Sequence, residues 1–426
     1  MRLTRTTWKP VESPVVVFVI AVSMRLWAAS QLLPEKAGPY FYRYNEPSRI
    51  AWAVVSGHGF SSPWPNTPLL PTAQQPPLYP ILLAAVFGVF GAYSLFSLWT
   101  AVGLNAILAG LTAIVILRIG GATFSRPVGV LSAWVWACWL YEAAVSIRLW
   151  ESALSTLWLS LALLFLPAVA TSTRAPRWLL FGFLAGVAGL TNTTLLALFP
   201  FFWLWLGIRC RGQGRSCNRR LLASVATCVL VMTPWTIRNY VIFHRLMPVR
   251  DNFGLEFWVG NHEETDPSVF PLSNPAEYNR LGEIPFMEAK RQAALEFIRR
   301  HPQQFGRLLI RRARLFWIEP EGSAWQWISP LAWLGVLLAV WRKGIEAMPY
   351  LVVLLIFPLV YYLTHTFPTY RHPIEPVMLL LAAYATLSLG DIVGTVLSRN
   401  PLGNSSPSLG GRKLGQPKAR FRGKNS

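Results

Sequence analysis

Residues 95–117 read LFSLWTAVGLNAILAGLTAIVIL, a run without one charged side chain that ends directly on Arg118. A helix needs about 20 apolar residues to cross the hydrocarbon core of a bilayer, and this run supplies them. Comparable runs occupy residues 14–33, 77–92, 127–145, 152–171, 178–191, 195–208, 221–237, 328–341, 347–363 and 374–397. The whole chain agrees: 53% of its residues are hydrophobic and 14% are charged, against about a quarter charged in soluble domains. The sequence therefore predicts an all-α integral membrane protein.

The charged residues that remain are strongly biased, 39 Lys and Arg against 19 Asp and Glu, a net charge of +20. In a membrane protein such an excess belongs on the cytoplasmic side of the spans. If residues 77–92 enter the interface and return without crossing, the basic residues fall together on one side. These are Arg2, Arg5 and Lys9, then Arg118 and Arg126, Arg174 and Arg177, the group from Arg209 to Arg220, Arg342 and Lys343, and the C-terminal tail. If that run did cross, most of the asymmetry would invert. About ten transmembrane helices with both termini cytoplasmic follow. More than half of the basic residues are then topology signals, and no nucleic-acid partner is needed to explain the charge.

This topology leaves two long loops on the outer side. Residues 1–240 form a transmembrane module that includes the first loop, 34–92. Residues 241–327 form the second loop, 328–397 the C-terminal spans, and 398–426 a basic tail rich in Gly, Ser and Pro that is expected to be disordered. Loops this long usually carry function. In the second, residues 285–300 read as a helix with Met287, Ala294, Phe297 and Ile298 on one face. A basic amphipathic stretch follows His301-Pro302, with Phe305, Leu308, Leu309 and Phe316 apolar and Arg307, Arg311 and Arg314 charged, a pattern that suits a helix lying in the interface. Cys138, Cys210, Cys217 and Cys228 are expected to be reduced, structural thiols. No zinc motif, Walker loop, GxSxG or G-x-G-x-x-G is present.

Carboxylates are scarce enough to weigh singly. Glu46, in Asn45-Glu46-Pro47-Ser48-Arg49, opens a short apolar helix that ends at Gly57-His58-Gly59. It is either a first-turn acid complementing the helix dipole or a general base at the mouth of a cleft. Glu142 closes the third span and Glu151 opens the fourth, both on the same outer side. Ionisable groups bordering spans usually face an interior or a cavity. Arg49, Arg238 and Arg371 also lie on that side, and a forked guanidinium suits a phosphate. Arg25 and Asp391 are expected to pair helices or snorkel.

In order and spacing these pieces resemble the glycosyltransferase C-fold superfamily of lipid-linked sugar transferases, which includes protein O-mannosyltransferases and the aminoarabinose transferase of lipid A. The resemblance rests on Glu46…Arg49-Ile50-Ala51, Gly57-His58-Gly59-Phe60, Pro71-Thr72-Ala73 and Pro76-Pro77-Leu78-Tyr79-Pro80. It continues through Pro234-Trp235…Arg238-Asn239-Tyr240, Asn252-Phe253-Gly254 and Gly260-Asn261, and covers roughly residues 14–385. It implies a seven-helix module with two large outer loops bearing interfacial helices, with Glu46 as catalytic base and Glu151 as the second acid. Many relatives carry an Asp-Glu pair where this chain has Asn45-Glu46.

The implied reaction moves a sugar from a polyprenyl-phosphate donor to a lipid, glycan or protein acceptor at the outer face of the plasma (inner) membrane, with inversion. Arg49, Arg238 or Arg371 would stabilise the departing phosphate, and His58, Tyr79, Glu142 and His372 are further candidates. No metal site is read from the sequence, which leaves a divalent cation open. The competing readings are a transporter or flippase of an anionic or lipid-linked substrate, and a non-catalytic membrane scaffold.

Overall fold

The computed structural model describes residues 10–36, 45–61, 64, 67–146, 148–263, 265, 275–318 and 323–399. Contacts divide the chain into two units, Met1–Leu387 and Ser388–Ser426. In the second, the described part is the end of the helix Glu375–Arg399. The tail beyond it, the basic residues at the N-terminus and parts of both expected outer loops lie outside the described residues.

The protein is an all-α membrane protein. Among the described residues, seven helical segments are long and apolar enough to cross a membrane: Pro14–Leu32, Leu95–Phe124, Ser152–Ala170, Thr193–Gly212, Asn218–Phe243, Trp325–Leu363 and Pro368–Asp391. The longest, at 39 residues, is interrupted: the 3-10 turn Gly344–Ala347 separates Trp325–Lys343 from Met348–Ile356, and the short helix Leu359–Leu363 follows. Two further expected spans fall on shorter pieces, Ala175–Thr191 and Arg126–Cys138 followed by Leu140–Ser146. Leu78–Phe90, with 13 residues, is about 20 Å long, short of the hydrocarbon thickness of about 30 Å.

Polar groups inside the bundle close the backbone where helices break. Arg25, fully buried, donates from Nη1 to the carbonyls of Ala21 and Ala137 (both 3.2 Å) and from Nη2 to that of Trp136 (3.0 Å). The last two are orphan carbonyls at the end of Arg126–Cys138, so the cation meets the negative end of a helix dipole. The expected helix-pairing role of Arg25 is thus a capping role. Asn105, buried in the Leu95–Ile119 helix, donates to Tyr79 Oη (3.0 Å) and to the Arg148 carbonyl (2.8 Å).

Close backbone approach holds Ala175–Thr191 against Asn218–Phe243. Gly182 and Gly186, four residues apart, form the contact, and a Cβ on Gly182 would stand 2.0 Å from the Ser224 carbonyl oxygen. Small residues at this spacing let transmembrane helices pack tightly. Gly182→Val is expected to weaken the pair by about 1–3 kcal/mol through overpacking. Thermal unfolding in detergent should show a lower transition, and an unchanged transition would mean that the helices separate at little cost.

Candidate functional site

The first site residue is positioned by its neighbour. Asn45 caps the helix Glu46–Val55, its Oδ1 accepting the Ser48 amide at 3.1 Å. Its Nδ2 donates to the Leu149 carbonyl at 2.9 Å. One amide therefore ties the helix that begins with Glu46 to the segment just before Glu151. A carboxylate at position 45 has the cap acceptor but no donor for Leu149, so Asn45 does here what an acid cannot. Glu151 directly precedes the helix Ser152–Ala170, and its carbonyl accepts the Ser155 amide at 2.8 Å.

Both carboxylates line a cleft of about 730 Å³. Glu256, on the helix Phe253–Gly260, joins them, and Arg250 is the cation of the lining. Gly254 makes that helix possible: a Cβ there would meet the Met287 carbonyl oxygen at 1.9 Å, so the helix lies directly on Glu283–Arg300. His365 and Tyr370 also line the cleft, and from the break between Ala175–Thr191 and Thr193–Leu196 comes Asn192.

Each of the three carboxylates is half-buried, with one side open to the cleft and the rest enclosed. Enclosure raises the Glu46 carboxyl from the ordinary 4.5 to about 7. The charge of Glu256 adds to the rise, while hydrogen bonds from Gln75 and Trp64 and the charge of Arg250 oppose it. Glu151 is also raised to about 7, by burial first, with Glu46 and Glu256 adding to the rise and a backbone hydrogen bond and Arg250 opposing it. Glu256 is raised by burial and lowered by Arg250. One guanidinium thus acts on all three acids.

Glu256 has its own partners. Its Oε1 accepts from Asn252 Nδ2 at 2.7 Å and its Oε2 lies 3.2 Å from His365 Nδ1. Burial pulls His365 down to about 4, so the ring is neutral near pH 7 and this contact is not an ion pair. His365 Nε2 lies 3.0 Å from Tyr370 Oη. Arg312, fully buried, ties the end of the Glu256 helix to the segment just before His365. It donates to the Gly260 carbonyl, to Asn261 Oδ1 (3.2 Å) and to the Tyr362 (2.9 Å) and Leu363 (3.2 Å) carbonyls. The helix Pro302–Ile318, expected to be amphipathic, does expose Arg307, Arg311 and Arg314, but it turns Arg312 inward.

The expected phosphate ligands are placed otherwise. Arg238 donates to the carbonyls of Thr72 (2.7 Å) and Phe60 (2.9 Å) and to Asn239 Oδ1 (2.9 Å), and lies over the ring of Trp235 at 4.8 Å. Arg371 is fully buried, 3.2 Å from Glu375 Oε1, bonded to the Phe316 carbonyl and 4.1 Å over Trp325. Arg49 lies over Trp52 at 5.9 Å. None of the three lines the cleft, and the first two have their donors directed at carbonyls and a carboxylate. His372 is buried against Trp136 with Nδ1 2.8 Å from Glu375 Oε2, Tyr79 is buried with Asn105, and His58 is exposed. Glu142 lies on Leu140–Ser146 with its side chain outside the described residues. Gln75, Arg250, Glu256, His365 and Tyr370 were not singled out by sequence, although Asn252-Phe253-Gly254 pointed to their neighbourhood.

Among the described residues no group of three or more His, Cys, Asp or Glu side chains gathers to hold a metal ion. All four cysteines are free thiols.

No family model matches the sequence, and no curated protein matches it. Solved structures do. The apo oligosaccharyltransferase of Archaeoglobus fulgidus is similar over 93% of this chain, with a TM-score of 0.54 and 13% identity. The complex of that organism's oligosaccharyltransferase AglB with an inhibitory peptide and a dolichol-phosphate is similar over 92%, with a TM-score of 0.51 and 12% identity. The chain has the glycosyltransferase C fold. It spans about half the length of these oligosaccharyltransferases, 53% and 52%. ArnT from Cupriavidus metallidurans bound to undecaprenyl phosphate is covered to 81% by 93% of this chain, at 14% identity and a TM-score of 0.38. A fold shared at such identity assigns no residue, so roles within the glycosyltransferase C fold rest here on the cleft itself.

Proposed function

We propose that this chain is a membrane glycosyltransferase that moves a sugar from a polyprenyl-phosphate donor to an acceptor hydroxyl at the outer face of the membrane. The observation that carries the reading is the cleft, where Glu46 and Glu151, acids from separate segments, face one guanidinium. A base must be able to hold a proton near neutral pH, and an anionic leaving group needs a cation beside it. Glu46 and Arg250 meet those needs in one space. The dolichol-phosphate bound in the AglB complex agrees with a donor of that class.

In this mechanism the Glu46 carboxylate takes the proton of the acceptor hydroxyl as its oxygen attacks the anomeric carbon. The bond to the phosphate oxygen breaks on the opposite side of the ring, which inverts the centre. Arg250 receives the negative charge that gathers on the departing lipid phosphate. Glu151 stands across the cleft, placed to hold acceptor or sugar hydroxyls. Arg250 takes the role expected of Arg49, Arg238 or Arg371, because their side chains do not line the cleft. No cofactor is invoked. The acceptor is a lipid, glycan or protein, and no nucleic acid takes part.

Proteoliposomes holding the purified chain and a polyprenyl-phosphate sugar test the reading. Net consumption of the donor with release of polyprenyl phosphate is expected on addition of envelope extract as acceptor source. A flippase or transporter would move the donor between leaflets without consuming it, and a scaffold would do neither. Either result would overturn the proposal.

A further inference from the structure

The two hydrogen bonds to Glu46 come from side chains that the second loop holds in place. Gln75 Nε2 donates to Oε2, and Trp64 Nε1 donates to Oε1 at 3.3 Å. Gln75 follows a fully enclosed stretch, residues 72–74, whose backbone is fixed from three directions. The Thr72 carbonyl accepts from Arg238, the Ala73 carbonyl accepts the Asp251 amide at 2.9 Å, and the Ala73 amide donates to Glu283 Oε1 at 2.6 Å. Glu283 Oε2 accepts from Thr72 Oγ1 at 2.5 Å, from Gln74 Nε2 at 3.4 Å and from Tyr278 Oη at 3.0 Å. These four partners of the Glu283 carboxylate are all donors, the set that an ionised acid satisfies. Trp64 in turn packs edge-on against Tyr278 (4.6 Å) and Phe286 (6.0 Å), which flank Glu283 across the turn at Gly282 (φ +77).

We propose that Glu283 is a positioning residue for Glu46. Through residues 72–74 it holds Gln75, and through Tyr278 it holds Trp64, so that both donors stay on the Glu46 carboxylate. The proposal rests on the reading of Glu46 as the base and explains how an acid in an enclosed cleft remains able to ionise near neutral pH. The charges that face Glu46 directly are Glu151, Glu256 and Arg250, with Tyr370 alongside, and none of them touches Glu283. Arg238 is the cation near Glu283. The coupling is therefore mechanical, carried by the enclosed stretch and the indole, rather than by charge at a distance.

The test reads the protonation of Glu46 without needing catalysis. A hydrophobic carbodiimide modifies protonated carboxyls, and peptide mass spectrometry of the full chain in nanodiscs gives the labelled fraction of Glu46 against pH. The midpoint is expected near 7 in the unsubstituted chain and about one pH unit higher in Gln75→Ala. Glu283→Gln should raise it by a similar amount and add little in the Gln75→Ala background. An unchanged midpoint in Glu283→Gln, or full additivity with Gln75→Ala, would overturn the proposal. If Glu283→Gln does not fold, Thr72→Val and Tyr278→Phe remove one donor each and should give smaller shifts in the same direction, and no shift in either would also overturn it. The pH profile of transfer separates the two readings. A labelling midpoint that moves while the profile of transfer stays put supports positioning by Glu283 and removes Glu46 as the base.

Discussion

Glu46→Gln is expected to lower sugar transfer by about 100- to 10,000-fold, the usual worth of a positioned general base. The measurement is the initial rate in donor-loaded proteoliposomes at pH 8, with saturating acceptor. In the unsubstituted chain the rate should rise through pH about 7, because the base works ionised and its proton is held to that value. Stability should move the other way. The folded carboxyl titrates at about 7 against an ordinary 4.5, so ionising it opposes folding. That opposition is absent below pH 4.5, grows between the two values and is complete above pH 7. A neutral amide in its place escapes it, so the Glu46→Gln variant should unfold at a temperature no lower than the parent at pH 8, while the difference closes toward pH 5. Normal transfer would remove Glu46 from the mechanism. Loss of transfer together with a lower unfolding temperature at pH 8 would mean that the residue is structural.

Arg250→Met is expected to cost about 100- to 1,000-fold in kcat/KM for the donor, comparable to removing one preorganised donor from an anionic transition state. Arg250 also lowers the titration of Glu46, Glu151 and Glu256, so the rising limb of the pH profile should move to higher pH in the same variant. Arg250→Lys keeps the charge and loses the fork, and should fall between the two. Initial-rate series against donor concentration at several pH values check all three statements. An unchanged kcat/KM for the donor would return the phosphate to another group. By contrast Arg238→Met should act through folding, since its guanidinium holds the Thr72 and Phe60 carbonyls.

The contrast between Arg238 and Arg250 shows where reading from sequence stops. Both are arginines near the start of the second loop, 12 positions apart, and each has an aromatic, apolar neighbourhood. Hydropathy and spacing rank Arg238 higher, because it stands where a span emerges. Whether a guanidinium is available depends on which carbonyls surround it, and those of Phe60 and Thr72 come from a distant stretch of chain. The same holds for Arg371, which looks exposed at the start of a span and is fully buried beside Glu375 and Trp325. Asn45 is the opposite case. Its departure from an Asp-Glu pair raises a doubt about function, and the tie to Leu149 gives it a purpose that no local pattern contains.

Hydropathy and the rarity of acids are enough to identify the helical membrane class and to point to Glu46 and Glu151, because apolar runs, basic flanks and isolated carboxylates are local properties of a chain. The sharing of one cleft by those acids with Glu256, His365 and Arg250, and the fastening of Glu46 by Gln75 and Trp64 under Glu283, arise only once the helices are packed. The bond from Ala73 to Glu283 joins residues 210 positions apart. A buried hydrogen bond of that kind exists only when both partners are brought within about 3 Å by the packing of everything between them.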